Sequence, residues 1–264
     1  VPVSAVGCGG DMVQVTLTVY PGPVLDPDLD ATVCSEEAGG IVLDIAAGSI
    51  AVTNYNITNI NVANGLVAYI GNATAGNGKP ANEIESDKFT NTSSTAKTVV
   101  YDIVPVGTTG CKGDMVQVTL TVNPEPVIDP GLNTTTCSDV AGGIILDVAS
   151  GSVAAAGYNI TSIAVNPSLV AGPGNATTGN GLSSNAIAGD KFTNATAGPL
   201  TVVYDVAPVS ADGCTGDVVQ ITLTVNPEPI LDPGINSTTC SDATGGITLK
   251  VAGGSVTAAN YNIT

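Results

Sequence analysis

The chain has 264 residues and sets 23 carboxylates against six lysines, with no arginine, histidine or tryptophan, for a net charge of −17. That charge repels nucleic acid and anionic membrane, and without arginine the usual bidentate phosphate reader is missing. There is also no imidazole, no Gly-rich phosphate loop opening a helix, and no serine or cysteine beside an activating base, so the sequence reads as a non-enzyme.

The first 20 residues hold a strand in which Val13, Val15, Leu17 and Val19 alternate with Met12, Gln14, Thr16 and Thr18. One face of such a strand is buried and the other wet. The motif GDMVQVTLTV (10–19) returns at 113–122 and, as GDVVQITLTV, at 216–225. Cys8, Cys111 and Cys214 form one series and Cys34, Cys137 and Cys240 another, each with a step of 103 residues. The chain is therefore a tandem array with a 103-residue repeat and no insertions. Pro21-Gly-Pro23, Pro124-Glu-Pro126 and Pro227-Glu-Pro229 read as stiff linkers, because proline lacks the amide donor of a central strand. The boundaries follow: 1–20 as the last strand of a preceding unit, 21–123 and 124–226 as complete units, and 227–264 as the first part of a following one.

Within a unit, the linker leads to Asp26, Asp28 and Asp30, whose spacing makes them calcium candidates. The copies read Asp129, Gly131, Asn133 and Asp232, Gly234, Asn236, so the carboxylates are lost in two of three repeats. After Cys34 a strand is expected with Ile41, Leu43 and Ile45 inward. These stay aliphatic as Ile144, Leu146, Val148 and Ile247, Leu249, Val251, while positions 42 and 44 drift in polarity. At 55–62 the apolar residues change phase between Ile57 and Ile60, which predicts a bulge. Residues 71–95 and 174–197 read as long loops or weak edge strands. The strand 98–106, repeated at 201–209, contains Pro105 and Pro208 and is expected at an edge or a strand end. It turns through a Gly-Cys tip into the last strand. No stretch has helical apolar spacing, and a unit of this size with this pattern is an all-β antiparallel sandwich of immunoglobulin-like type.

Two cysteines per unit, without CxxC or histidine partners, predict disulfides in an oxidising compartment. The pairing Cys34–Cys111 and Cys137–Cys214 would let each unit fold alone, and leaves Cys8 and Cys240 to partners outside the chain. One alternative crosses the linker, joining Cys111 to Cys137, Cys8 to Cys34 and Cys214 to Cys240, and links between cysteines of units farther apart stay open as well.

The segments VVYDVAPVSADGCTGDVVQITLTVNPEP (202–229) and LDPGINSTTCSD (231–242), with the YNIT segments, resemble the PKD-like and immunoglobulin-like repeats of very large secreted proteins of Bacteroidetes, including gliding-type surface adhesins. The resemblance covers essentially the whole chain. It implies export, through the type IX route, to the extracellular cell surface. The near identity of successive copies suits a long uniform array.

Nine N-x-S/T sequons, at Asn56, Asn72, Asn91, Asn133, Asn159, Asn175, Asn194, Asn236 and Asn262, are candidate glycosylation acceptors or simply an Asn- and Thr-rich β surface. No apolar run reaches the length of a membrane span, and no cofactor other than calcium is implied. Two functions remain: a structural filament, fibre or stalk whose partners are further repeats or other copies, and an array of adhesive modules that bind surface glycans. Scarce aromatic residues count against the second.

Overall fold

The computed structural model describes residues 1–263, and these contain strands and no helix. The first repeat forms β1 (Ala31–Cys34), β2 (Val52–Val62), β3 (Leu66–Ala68), β4 (Gly76–Lys79), β5 (Phe89–Asn91), β6 (Lys97–Gly107) and β7 (Val116–Asn123). The second repeats them as β8 (Thr134–Cys137), β9 (Ala155–Val165), β10 (Leu169–Ala171), β11 (Gly179–Leu182), β12 (Phe192–Asn194), β13 (Leu200–Ser210) and β14 (Val219–Asn226).

In each repeat a five-stranded sheet, ordered β1-β7-β6-β2-β4 in the first, carries the buried face. Alternation dictates that face: Val99, Tyr101 and Ile103 of β6 and Val118, Leu120 and Val122 of β7 point inward. The opposing layer is built from the β3–β5 pair and from extended segments. Residues 24–26 pair with 44–46 through the Leu25–Ile45 bridge. On its other side the segment donates from Gly40 N to Glu85 O and from Leu43 N to Ala81 O. Leu25, Ile41, Leu43, Ile84 and Phe89 thus cover the sheet and close one core, and their counterparts close a second. The strand expected at 41–45 is extended and alternates as predicted, but it is held by one bridge and loop carbonyls, not by a ladder.

The bulge expected in β2 lies between Ile57 and Asn59, where the register against β6 shifts. Pro105 does not mark an edge, because β6 is the central strand. Pairing with β7 ends at Ile103, and the Pro105 carbonyl accepts from Gly113 N in the tip turn at 2.9 Å, so the missing amide falls where no ladder bond is needed. Among the described residues, the terminal pieces carry isolated bridges, Val3 with Gly9 and Leu231 with Val251. Val15, 92% exposed, is the counterpart of Val118, which is buried.

The feature that orients each sandwich is β1. It pairs in parallel with β7, Ala31 opposite Leu120 and Cys34 opposite Asn123, and β8 does the same with β14. Each sandwich therefore has a leading end, where the chain comes in and the Gly-Cys tip turn lies, and a trailing end, where the last strand leaves and the first-strand cysteine lies.

The joint between the sandwiches as the candidate functional site

The trailing end of the first sandwich meets the leading end of the second at residues 124–126. The tip turn of the second sandwich rests on this linker so closely that a Cβ on Gly216 would stand 1.9 Å from the Pro126 carbonyl oxygen. Cys214, in the same turn, faces Cys34 across the joint, and the two form a disulfide with a Cα–Cα distance of 5.5 Å. Burial follows the bond. Cys214 is 1% exposed and Pro124 and Pro126 are buried, whereas the equivalent Cys111 and Pro227 are half-buried and Pro229 is exposed.

The pairing corrects the sequence expectation. Cys34–Cys111 and Cys137–Cys214 do not form within repeats, since in each the two cysteines stand at opposite ends of a last strand of eight residues, about 25 Å long. A disulfide requires Cα atoms within about 7 Å. Nor does Cys111 join Cys137, for these lie at the two outer ends of the pair of sandwiches. Cys8, Cys111, Cys137 and Cys240 are unbonded. A bond does cross the linker, but it skips the nearest cysteine and joins residues 180 apart in sequence.

Three carboxylates, Glu36, Glu37 and Asp217, lie near enough to act on a fourth, Glu125 of the linker. Burial in the linker pushes the Glu125 carboxyl up to about 7, helped by the negative charges of Glu36, Asp217 and Glu37. Glu36 takes a left-handed backbone (φ 66°), as do its counterparts Asp139 and Asp242. Its side chain accepts from Thr90 Oγ1 at 3.1 Å, while Cys34 N donates to Glu37 Oε2 at 3.2 Å. Among the described residues, no strand pairing and neither hydrophobic core crosses the joint. Three linker residues and one disulfide hold together two bodies whose facing carboxylates repel.

Asn91 braces the trailing end. It is buried, and its Nδ2 donates to Val122 O at 2.8 Å and to Thr95 O at 2.9 Å while its Oδ1 accepts from Ser93 N and Oγ. Its own amide donates to Ser35 Oγ, next to Cys34. Asn194 repeats the network with Val225 O, Gly198 O, Thr196 and Ser138. Asn56, also buried, accepts from Gly78 N at 3.1 Å. Asn91 and Asn194 are therefore corrected as glycan acceptors, since both protons of each Nδ2 are bonded inside the fold. Asn72 and Asn175 spend both ends of the amide on the backbone of Lys88 and Lys191. Asn159 accepts from Gly181 N. Asn133, Asn236 and Asn262 are exposed.

The calcium candidates also have structural duties. Asp26 Oδ1 accepts from Asp28 N in a local turn, and Asp30 Oδ1 accepts from Thr119 N at 2.7 Å. Asn133 Oδ1 takes the matching bond from Thr222 N at 2.7 Å. The position calls for an acceptor and not a charge, which is why Asp and Asn interchange there. Among the described residues, no group of three or more His, Cys, Asp or Glu is placed to hold a metal ion, and Asp26 and Asp30 are engaged by the backbone bonds just named.

Paired immunoglobulin-like sandwiches, joined through a covalent clamp and built of near-identical repeats, define a modular array protein. Residues 63–126 and 134–229, more than half of the chain, match the family of PKD-like domains, and the chain belongs to that family. Among solved structures it is similar to human CDH23 EC21-23, at 16% identity and a TM-score of 0.32 over 88% of this chain and 80% of that one. It is also similar to the fibronectin(III)-like modules of Clostridium thermocellum CbhA, at 9% and 0.27 over 78% and 93%, and to the D00-D0 domain of Intimin, at 13% and 0.27 over 75% and 98%. No curated protein matches the sequence.

Proposed function

We propose that this chain is a length of an extended extracellular structural array, a stalk or surface filament in which each sandwich adds reach. The observation that carries this reading is the Cys34–Cys214 bond, which spends the cysteines on the joint between sandwiches and not on either core. Domains joined by a short linker move relative to each other by default. A covalent tie beside the linker removes that freedom, which is useful to a spacer. A disulfide also points to an oxidising compartment outside the cytoplasm, in keeping with an outer-surface location. The partners are further repeats or other copies of the same sequence type.

Each repeat contributes about 35–40 Å of length at 3.3 Å per strand residue. Negative-stain imaging of the secreted protein is expected to show threads with an axial period near that value or twice it. Compact dispersed particles, or saturable binding of a surface glycan by the chain, would move the assignment to an adhesive module.

A further inference from the structure

Resting on the stalk reading, we infer a mechanical function for the disulfide: it takes both hydrophobic cores out of the path along which tension passes. Tension applied between the two ends follows covalent bonds. From the first sandwich it runs through residues 21–34 to Cys34, crosses the sulfurs to Cys214, and leaves along residues 214–226. Everything from 35 to 213 hangs in a side loop and carries no load. That loop contains β2 to β13 entire, and most of both cores.

The remaining path has almost no slack. Its two segments are about 27 residues long and reach about 90 Å when fully drawn out. The pair of sandwiches is already about 70–80 Å long. The path is short because it follows strands that are extended in the fold: β1, then β14, each lying along its sandwich and continuing the direction of travel. An intrarepeat bond would act differently. Cys34 to Cys111 would shield only one sandwich and leave the linker and its joint as the weak point. The bond observed protects two sandwiches and the joint together.

The test is single-molecule pulling on the full chain tethered at its two ends, with and without reductant. The oxidised chain is expected to stretch only along the short path plus its flanking segments, with no stepwise release from either sandwich. Reducing the folded chain in place, or the Cys34→Ser substitution, is expected to add about 600 Å, the extended length of the 180-residue separation at ~3.4 Å per residue. Reduction of the folded chain avoids dependence on a variant that folds poorly. Equal extension in the two states overturns the inference, as does release of sandwich-sized lengths from the oxidised chain. If the oxidised chain resists stretching but the secreted protein forms no threads, the shielding stands and the stalk reading fails.

Discussion

At the scale of single residues, the trailing end of each sandwich depends on one buried amide. Removing Asn91 takes its Nδ2 donor from Val122 O and from Thr95 O, which keeps only Ser93 Oγ, and takes its Oδ1 acceptor from Ser93 N, and a lost bond at a buried group costs about 1–3 kcal/mol. Asn91→Ala is therefore expected to destabilise the first sandwich by about 2–3 kcal/mol in urea denaturation, and Asn194→Ala the second by a similar amount. Equal behaviour would confirm that the two networks are copies, while a negligible shift in both would show that water replaces the amide. Gly216 is exacting for another reason. The Pro126 oxygen lies 1.9 Å from where a Cβ would be, so Gly216→Ala must displace backbone, at a cost of about 1–3 kcal/mol from overpacking, read as a lowered urea midpoint. Neither role was legible beforehand. Asn91 looked like one sequon among nine, and burial, which periodicity reveals for Val and Ile, is not coded for a lone polar residue in a loop-like stretch. The acceptor at position 30 was equally opaque: Asp26, Asp28 and Asp30 read as a ligand run until Thr119 N claimed one of them.

At the scale of elements, the linker is the sensitive part. Its Glu125 sits among Glu36, Glu37 and Asp217, and its carboxyl is held near 7, above the ordinary value of 4.5. A carboxyl raised on folding favours the protonated clamped form. Its stabilising contribution is full below about pH 4.5 and is lost as pH rises through about 7. The melting temperature of the oxidised chain is expected to fall between about pH 4.5 and pH 7, and Glu125→Gln to flatten that slope. A slope unchanged in the variant would assign the effect to other groups. Strand positions were largely legible, since two-residue alternation marked β7 and β14 and the phase change marked the bulge in β2. Strand direction was not. Parallel pairing of β1 with β7 depends on a crossover that no local pattern records, and that one unknown reversed the expected ends of Cys34 and hence the whole pairing.

At the scale of the molecule, the period of 103 makes the joint repeatable. Cys137 stands in the second repeat where Cys34 stands in the first, and Cys111 stands where Cys214 does. In an array that continues with this period, each is expected to bond a cysteine of the adjoining repeat, two thiols yielding two protons and two electrons to a disulfide oxidant. Peptide mapping of the protein from its native source without reductant should find the first-strand cysteine of one repeat joined to the tip cysteine of the next. A Cys137–Cys214 peptide would contradict this. Modular organisation and repeat length were plain in the sequence because cysteine spacing and proline clusters are local marks, whereas the joint is a meeting of residues from different repeats. The interchange of Asp30 and Asn133 has a last consequence, for durability. Exposed asparagines slowly hydrolyse, and a stalk of the proposed kind would accumulate the change. At position 133 the normal aspartate product keeps the oxygen that holds Thr222 N in place, and Asp30, holding Thr119 N in the same way, shows that product to be serviceable.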